Sequence, residues 1–335
     1  MKCIRLRNPA SLDNLYLEDC DSTLPGPGEI RVRVRAASLN FRDALVANGF
    51  FRFKDGLIPL SDGAGEVTAV GEGVTEFSAG DVVVSTFHPP WHSGHASRAQ
   101  LTASPGGPAD GFACEETTRP ASHFTRAPAE LTFAEAATIT CAGVTAWRAV
   151  VTDAGIKPGD TVLIQGTGGV SLFALQFAKA CGATVIATTS SERKVQRLQN
   201  LGADHVIHYS ETSNWADTVT ELTDGLGADL VVEVGGPTTI AQSLKAARIG
   251  AHIALIGAVG GFDIDTMPFA IVQAKRLRLQ GVTVGSRADQ LEMVRAMEVN
   301  KIRPVIDSHY PLTELDDAFR AMATGNHFGK IVIEI

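Results

Sequence analysis

One stretch of the chain, residues 161–179, constrains the fold more than any other. It consists of an apolar strand ending at Gln165, a glycine-rich turn and a helix from Val170. Glycines let the backbone turn tightly against a ligand, and the start of a helix offers unpaired N–H groups to a pyrophosphate. A second apolar strand at 184–188 follows at βαβ spacing. We therefore predict a dinucleotide site with contacts from Gly166, Thr167, Gly168, Gly169 and Val170.

Two features of this stretch leave an alternative open. Tight turns and close helix–strand packing need glycine whether or not a ligand binds. In addition, Ser171 stands at the last small position of the fingerprint, where Gly or Ala is usual. Serine is small enough for the same packing, so the prediction of a dinucleotide site stands.

The residues after the second strand indicate which dinucleotide binds. An NAD site usually places Asp or Glu about 20 residues beyond the first glycine, on the ribose 2′-hydroxyl. Here residues 188–194 are Thr-Thr-Ser-Ser-Glu-Arg-Lys. Hydrogen bonds from Ser190, Arg193 or Lys194 would favour a 2′-phosphate, since charge-assisted bonds contribute about 1.5–3 kcal/mol each. We expect NADP(H); the alternative is that these charges are only the solvated first turn of a helix.

Composition narrows the class of protein. A chain of 335 residues with 44% hydrophobic content is long enough for two domains. Its 29 basic and 37 acidic residues give a net charge of −8 without a basic stripe, so nucleic acid is not expected as a partner. No leader peptide or apolar membrane-spanning stretch is visible, and we expect a cytoplasmic protein that does not bind membranes. The five scattered cysteines argue against a disulfide framework.

The hydrophobic pattern divides the chain into a β-rich part and an alternating part. Short strands broken by glycine turns, at 29–36, 63–71 and 80–85, are typical of a small barrel. Residues 87–111 are rich in Pro, Gly, Ser and His, which predicts either a binding lid or disorder. Six strands alternating with helices then predict a doubly wound parallel sheet of the Rossmann type. These strands begin near Thr161, Thr184, His205, Asp229, Ala251 and Leu277, and a last strand follows at 330–335.

Four motifs together resemble the medium-chain dehydrogenase/reductase superfamily, over essentially the whole chain. They are Ser-Leu-Asn-Phe-Arg-Asp at 38–43, Leu-Ser-Asp-Gly-Ala-Gly at 60–65, Cys-Ala-Gly-Val-Thr-Ala-Trp at 141–147 and Gly-Thr-Gly-Gly-Val-Ser at 166–171. They are similar to the zinc-independent branch of quinone oxidoreductases and enoyl reductases. The resemblance implies a GroES-like substrate domain at 1–127 and 285–335, a Rossmann domain at 128–284, and a homodimer.

The resemblance also implies where a catalytic zinc would sit. The Cys, His and Cys ligands of zinc-containing members would fall at Asn40, Ser61 and Cys141. Only Cys141 has a suitable donor, so we predict that no metal binds there. Asp62 is an alternative ligand at this site, and His88, His92 and His95 are a rival cluster in the 87–111 segment.

Several further residues are expected to touch the cofactor or the substrate. Asn40 is the leading catalytic candidate, although it could simply cap a turn. Lys330 resembles a residue that returns to the cleft, where it could meet the cofactor or merely flank an edge strand. The proton donor is not identified, and water or His327 remains open. Because ligands bind beyond the carboxyl ends of parallel strands, the predicted cofactor contacts also include Gly235, Gly257, Val259, Val282 and Val284. The resemblance implies further cofactor contacts at Asn40, Thr145, Tyr209 and Lys330.

Three functions agree with this pattern. The first is an NADPH-dependent reductase of a small-molecule electrophile, an enone, enal or quinone, because an enolate needs only a few hydrogen bonds for stabilisation. The second is an NAD(P)-dependent alcohol dehydrogenase or carbonyl reductase, metal-free or of the zinc type. The third is a non-catalytic NADPH-binding sensor or scaffold, since a fold alone does not establish chemistry.

Overall fold

The computed structural model describes residues 1–262 and 267–335. The chain forms two compact units: unit 1 comprises Met1–Val144 and Val284–Ile335, and unit 2 comprises Thr145–Thr283. Residues 128–144, which the sequence analysis placed with the Rossmann domain, thus lie in unit 1. The reason is local bonding: the Ser38 hydroxyl donates to the Ala137 carbonyl at 2.9 Å, and the Cys141 N–H donates to the Asp62 carboxylate at 3.0 Å.

Unit 1 is built on a seven-stranded sheet and a separate strand pair. The pair is antiparallel, and the sheet has the order β14-β15-β3-β4-β5-β7, with β6 on β3. In this sheet β14 and β15 are parallel, and the other pairs are antiparallel. The strands are β1 Lys2–Leu6, β2 Leu15–Asp19, β3 Glu29–Ser38, β4 Asp62–Val70, β5 Val82–Ser85, β6 Glu116–Pro120, β7 Phe124–Arg126, β14 Ile306–Pro311 and β15 Lys330–Glu334.

The alternation of β3 explains how the core of unit 1 forms. Ile30, Val32 and Val34 are buried, whereas the arginines between them are not. The buried residues pack with Phe112, Phe124 and other apolar side chains into one cluster. The helices around this core are α1 Phe41–Ala47, α2 Arg98–Leu101, α3 Phe133–Ala136, α10 Arg287–Asn300 and α11 Leu315–Ala323, with a π-helical segment at Ile139–Gly143. The sequence patterns Thr-x-x-Glu at 132–135 and Ser-x-x-Asp at 286–289 predict capping boxes. The structure has these boxes at the starts of α3 and α10.

Unit 2 contains the predicted doubly wound sheet. All its strands are parallel, in the order β10-β9-β8-β11-β12-β13. They are β8 Thr161–Gln165, β9 Thr184–Thr189, β10 His205–His208, β11 Ala228–Glu233, β12 Ala247–Leu255 and β13 Arg278–Gly281. The helices are α5 Gly169–Ala180, α6 Glu192–Asn200, α7 Trp215–Leu222, α8 Ile240–Ala246 and α9 Phe269–Ala274. The short helix α4 Val144–Trp147 starts at the last residue of the first segment of unit 1 and continues into unit 2, where a π-helical segment follows at Arg148–Asp153. The fold-class prediction is confirmed.

The segment predicted to be a lid or disordered is a packed part of unit 1. Phe87, His88 and Trp91 are buried, because this segment covers apolar surface. The carbonyls of Trp91 and His92 each accept a backbone N–H from the first turn of α10, at 2.9 Å. The segment therefore satisfies donors at a helix start that would otherwise lack partners. The expectation of disorder was wrong.

The cysteines also differ from expectation. Cys3 and Cys20 form a disulfide, and Cys114, Cys141 and Cys181 are not disulfide-bonded. The pairing of β1 with β2 places Cys3 opposite Glu18, close to Cys20. Sequence spacing carries no sign of this contact, because strand register creates it.

Within the described ranges, no helix combines the length and the apolar run needed to cross a bilayer.

Gly65 in β4 allows a stability prediction. A Cβ there would lie 2.1 Å from the Arg33 carbonyl oxygen, so Gly65→Ala must push β3 and β4 apart. Overpacking of this kind costs about 1–3 kcal/mol of unfolding free energy, which denaturant unfolding would measure. Gly281→Ala is the control, since its Cβ would meet no atom within 4 Å. Equal unfolding midpoints for both variants would contradict the packing described.

Candidate functional site

In unit 1 the candidate site is centred on Asn40, at the junction of β3 and α1. Asn40 is the N-cap residue of α1, and its backbone N–H donates to the Asp43 carboxylate at 2.9 Å. The capping alternative raised from the sequence is thus correct for the backbone. The Asn40 side chain, in a residue only 8% exposed, makes different contacts.

Lys330 is one of the two partners of the Asn40 side chain. It is the first residue of β15, which pairs antiparallel with β3 so that Val332 lies opposite Ser38. This register brings the Lys330 ammonium to the end of β3. Its Nζ donates to the Leu39 carbonyl and to Asn40 Oδ1, the latter at 2.5 Å. The structure therefore brings together the two residues that the sequence analysis named as catalytic candidates.

Ser61 is the other partner, and it extends the contacts into a chain. Asn40 Nδ2 donates to Ser61 Oγ at 3.2 Å, and that hydroxyl donates to Asp62 Oδ1 at 2.8 Å. The second Asp62 oxygen accepts the backbone N–H of Cys141 at 3.0 Å. We call these five residues, Lys330, Asn40, Ser61, Asp62 and Cys141, the Asn40 network. Its polar side chains are buried and joined in series.

The backbone before Ser61 is held in an uncommon conformation. Leu60 has φ of 73°, which non-glycine residues seldom adopt. Gly106 and Gly111 pack directly on it, since a Cβ at either position would meet Leu60 backbone atoms at 2.6 Å and 2.1 Å. Arg42 of α1 fixes the same segment by donating to the Pro105 and Gly106 carbonyls at 2.9 and 3.2 Å. The packed 87–111 segment thereby holds Ser61 in position.

Burial dominates the electrostatics of this site. It raises the pKa of Asp43 to about 6, against the opposing effect of the Arg42 cation. Burial also raises the pKa of the Cys141 thiol, and the negative charge of Asp62 raises it further.

The donors present do not fit a catalytic zinc. Such a site needs three N, S or carboxylate donors around an open position. Here Asn40 and Ser61 offer an amide and a hydroxyl that are bonded to each other. Among the described residues, one other group of three could supply metal ligands, Glu192 with His208 and Glu211; the sulfurs of Cys3 and Cys20, near Glu18, are joined in a disulfide.

The rival histidine cluster does not form. His88 is buried, whereas His92 and His95 are exposed. Their ring nitrogens do not form a group within 4.8 Å of one another among the described residues.

In unit 2 the glycine turn at residues 166–169 leaves open space beside its backbone, where a ligand could bind. Gly166 has φ of 68°, and a Cβ on Gly166 or Gly168 would meet no atom within 4 Å. Gly168 is the N-cap of α5, a helix of 12 residues that carries Gly169 and Val170 in its first turn. The Ser171 hydroxyl donates to the Gln165 carbonyl at 2.6 Å, so the departure from Gly or Ala closes the turn. Open space at a helix N-terminus suits a pyrophosphate.

The residues predicted to choose the cofactor are placed at the ends of β9 and β10. Lys194 reaches back to the glycine turn, where its Nζ donates to Thr167 Oγ1 at 3.1 Å. Arg193 and Ser190 are exposed near the tip of β9. Tyr209 is 41% exposed, and its N–H donates to the Thr189 carbonyl at 3.0 Å. Basic and hydroxyl groups are thus available there, although Glu192 is also exposed at this tip.

Sequence reasoning missed Glu233, which is 1% exposed at the end of β11. Its Oε1 accepts from Gly235 N, Gly236 N and Thr239 Oγ1 at 2.8, 2.9 and 2.6 Å. Its Oε2 accepts from Gln165 Nε2 at 3.0 Å and from Ser243 Oγ. The carboxylate therefore ties the end of β8 to the turn that contains Gly235. The sequence pattern that could have identified Glu233 is an acidic residue at the end of an otherwise apolar strand.

The other predicted contacts have varied surroundings. A Cβ on Gly257 would lie 2.5 Å from the Val234 carbonyl, so close packing alone requires glycine there. Val259 is 67% exposed, whereas Thr145 and Val282 are buried. Val284 has φ of 55° at the start of the second segment of unit 1.

Two family models match the chain. One, described as an alcohol dehydrogenase GroES-like domain, matches residues 26–129, and one described as a zinc-binding dehydrogenase matches 169–299. A zinc-type alcohol dehydrogenase-like protein of Schizosaccharomyces pombe is 37% identical, covering 92% of this chain and 91% of that protein. A mycocerosic acid synthase-like polyketide synthase of Mycobacterium tuberculosis is 33% identical over 99% of this chain, which corresponds to 15% of the synthase.

Solved structures agree with these relatives. An alcohol dehydrogenase candidate of Sinorhizobium meliloti superposes with a TM-score of 0.93 at 38% identity, covering 100% of this chain and 99% of the other. An NAD-dependent alcohol dehydrogenase gives 0.92 at 34% identity, and a mycobacterial protein complexed with NADPH gives 0.82 at 28%, each with full coverage of both chains. The chain therefore belongs to the medium-chain dehydrogenase/reductase superfamily and is an NAD(P)-dependent oxidoreductase.

Proposed function

We propose that the protein is an NADP(H)-dependent, zinc-independent reductase of an activated C=C bond, as in an enone or enal, or of a quinone. The observation that carries this proposal is the Asn40 network. At two positions where zinc-type members have metal ligands, this chain has the Asn40 amide and the Ser61 hydroxyl. These two groups are hydrogen-bonded in series with Asp62. The site therefore offers hydrogen-bond donors rather than a Lewis acid.

The orientation of the Asn40 amide supports this chemistry. Its Oδ1 accepts from Lys330, so Nδ2 must be the donating end. The nitrogen carries two hydrogens, and Ser61 accepts one of them. We assign the second to the substrate oxygen, on which negative charge develops when hydride reaches the β-carbon. Asn40 thus acts as a catalytic residue by stabilising an enolate.

The glycine turn and its neighbours support NADP(H) as the cofactor. When bound, the reduced nicotinamide supplies the hydride. Gly166, Gly168 and the start of α5 would hold the pyrophosphate, while Ser190 and Arg193 would bind the 2′-phosphate. Lys194, bonded to Thr167, adds positive charge beside the turn. The relatives include both an NAD-dependent enzyme and an NADPH complex, so cofactor choice belongs to this proposal. The homodimer expected from the resemblance is likewise part of this proposal.

Two alternative functions stand beside C=C reduction: carbonyl or alcohol chemistry, and NADPH binding without catalysis. Reduction of a carbonyl, or oxidation of an alcohol, is favoured by relatives named as alcohol dehydrogenases. Reduction of C=C is favoured by the likeness to part of a polyketide synthase, because condensation, reduction of the resulting β-ketone to an alcohol and loss of water leave an α,β-unsaturated acyl group. A non-catalytic NADPH sensor agrees with the cofactor turn alone.

Cofactor choice is tested by nucleotide affinity. We expect NADPH to bind at least tenfold more tightly than NADH, because charge-assisted bonds to a phosphate contribute about 1.5–3 kcal/mol each. Lys194→Glu should narrow this gap, and Lys245→Glu, a charge reversal at an exposed position of α8, is the matched control. Fluorescence titration gives the dissociation constants. Equal affinities of the parent for both nucleotides would refute the assignment.

Metal independence is tested by elemental analysis. We expect well under one zinc per purified chain, with activity retained in a chelator, because Asn40 and Ser61 cannot hold zinc with Cys141. Stoichiometric zinc whose removal abolishes activity would overturn the proposal.

The reaction is tested with trans-2-hexenal and NADPH carrying deuterium at nicotinamide C4. We expect the label at C3 of hexanal, while the proton at C2 comes from solvent. Label at C1 of an allylic alcohol would show carbonyl reduction, and no turnover despite tight NADPH binding would favour the sensor.

Asn40→Ala should lower kcat by about tenfold or more, because it removes a hydrogen bond that strengthens in the transition state.

A further inference from the structure

Lys330 is unusual among the basic residues of this chain. Of the lysines and arginines in residues 1–262 and 267–335, it alone is buried, with 4% of its surface exposed. Burying a cation is costly unless its hydrogen bonds and charge are satisfied. Here the Leu39 carbonyl and Asn40 Oδ1 accept its hydrogens.

Two buried carboxyl groups belong to the hydrogen bonds around the ammonium. Asp43 bonds to the backbone of Asn40, and Asp62 is joined to Asn40 through Ser61. Lys330 acts on Asp43 and on the Cys141 thiol by lowering the pKa of each against the effect of burial. The cation is therefore close enough to both groups to interact with them through space.

The position of the ammonium conflicts with that of a metal ion. Ligand atoms lie about 2.0–2.3 Å from zinc, and Lys330 Nζ lies 2.5 Å from Asn40 Oδ1. A metal ion bound through Asn40 Oδ1 would lie within about 4.8 Å of the ammonium, because both cations would contact the same oxygen. Two cations at such a distance repel strongly where water is excluded.

We propose that the buried Lys330 ammonium is the built-in cation of this site, which excludes a divalent metal and orients and polarises the Asn40 amide. This proposal rests on the metal-independent reaction proposed above. Lys330 is a positioning residue that acts through Asn40. Its ammonium fixes Oδ1 as the acceptor, so Nδ2 is directed to Ser61 and to the substrate oxygen.

The first test rebuilds a zinc donor set with and without the ammonium. Asn40→Cys with Ser61→His, beside Cys141, supplies two thiols and an imidazole. We expect the protein with both substitutions to bind Co²⁺ at least tenfold more weakly than the same protein carrying Lys330→Met as well. The visible absorption of Co²⁺ in tetrahedral thiolate coordination reports binding without any assay of activity.

A matched control distinguishes repulsion of Co²⁺ by the nearby Lys330 ammonium from the effect of removing one positive charge anywhere in unit 1. Lys54→Met removes an exposed ammonium of unit 1 in the same rebuilt background. It should leave Co²⁺ affinity within about twofold. If Lys330→Met and Lys54→Met have equal effects, or if the rebuilt site binds Co²⁺ equally well with and without Lys330, the proposal is wrong. Because the readout is metal binding, failure here is distinct from failure of the C=C assignment.

A second measurement uses single variants and does not depend on the rebuilt site folding. Lys330→Met should lower kcat at least tenfold with little change in the KM for NADPH, and Lys330→Arg should restore part of kcat. If Lys330→Met instead raises the KM for NADPH with kcat unchanged, the lysine binds the cofactor, and a role through Asn40 is excluded.

Discussion

The hydrogen bond between Lys330 and Asn40 connects parts of unit 1 that are far apart in sequence. It joins the start of the last strand to the junction of β3 and α1, almost 300 residues earlier. The contact is a consequence of burial. An ammonium removed from water needs oxygen atoms that accept its hydrogens, and an amide facing it must present its oxygen. This one contact therefore determines how Asn40 is turned, and through Asn40 which donors the site can offer.

Unit 2 satisfies a buried charge of opposite sign in a similar way. Glu233 accepts hydrogen bonds from the backbone of its own turn and from the side chains of Gln165 and Ser243. These bonds hold the ends of β8 and β11 beside each other, where a parallel sheet binds its ligands. Lys330 in unit 1 and Glu233 in unit 2 are thus buried side chains whose hydrogen bonds hold neighbouring segments in place. Fully satisfied networks of this kind give a site one well-defined geometry.

The sequence predicted those features that arise from local pattern. The six parallel strands, the glycine turn before α5, and the capping boxes at Thr132 and Ser286 depend on neighbours a few residues apart, and the structure contains all of them. The segment at 87–111 was misjudged because its composition resembles that of mobile loops. Its order comes from distant partners: Trp91 is buried, and its carbonyl accepts an N–H of α10.

The sequence by itself determined the superfamily, the nucleotide-binding unit and the loss of the usual metal donors, because these follow from residue identity and short-range spacing. Only the tertiary structure decided that Lys330 faces Asn40, that Glu233 is buried in a network, and that Cys3 meets Cys20. These contacts depend on which strands pair and in which register, and a single register step would turn each side chain to the opposite face of its sheet. Long-range pairing of this kind is a property of the whole fold, so no local pattern contains it.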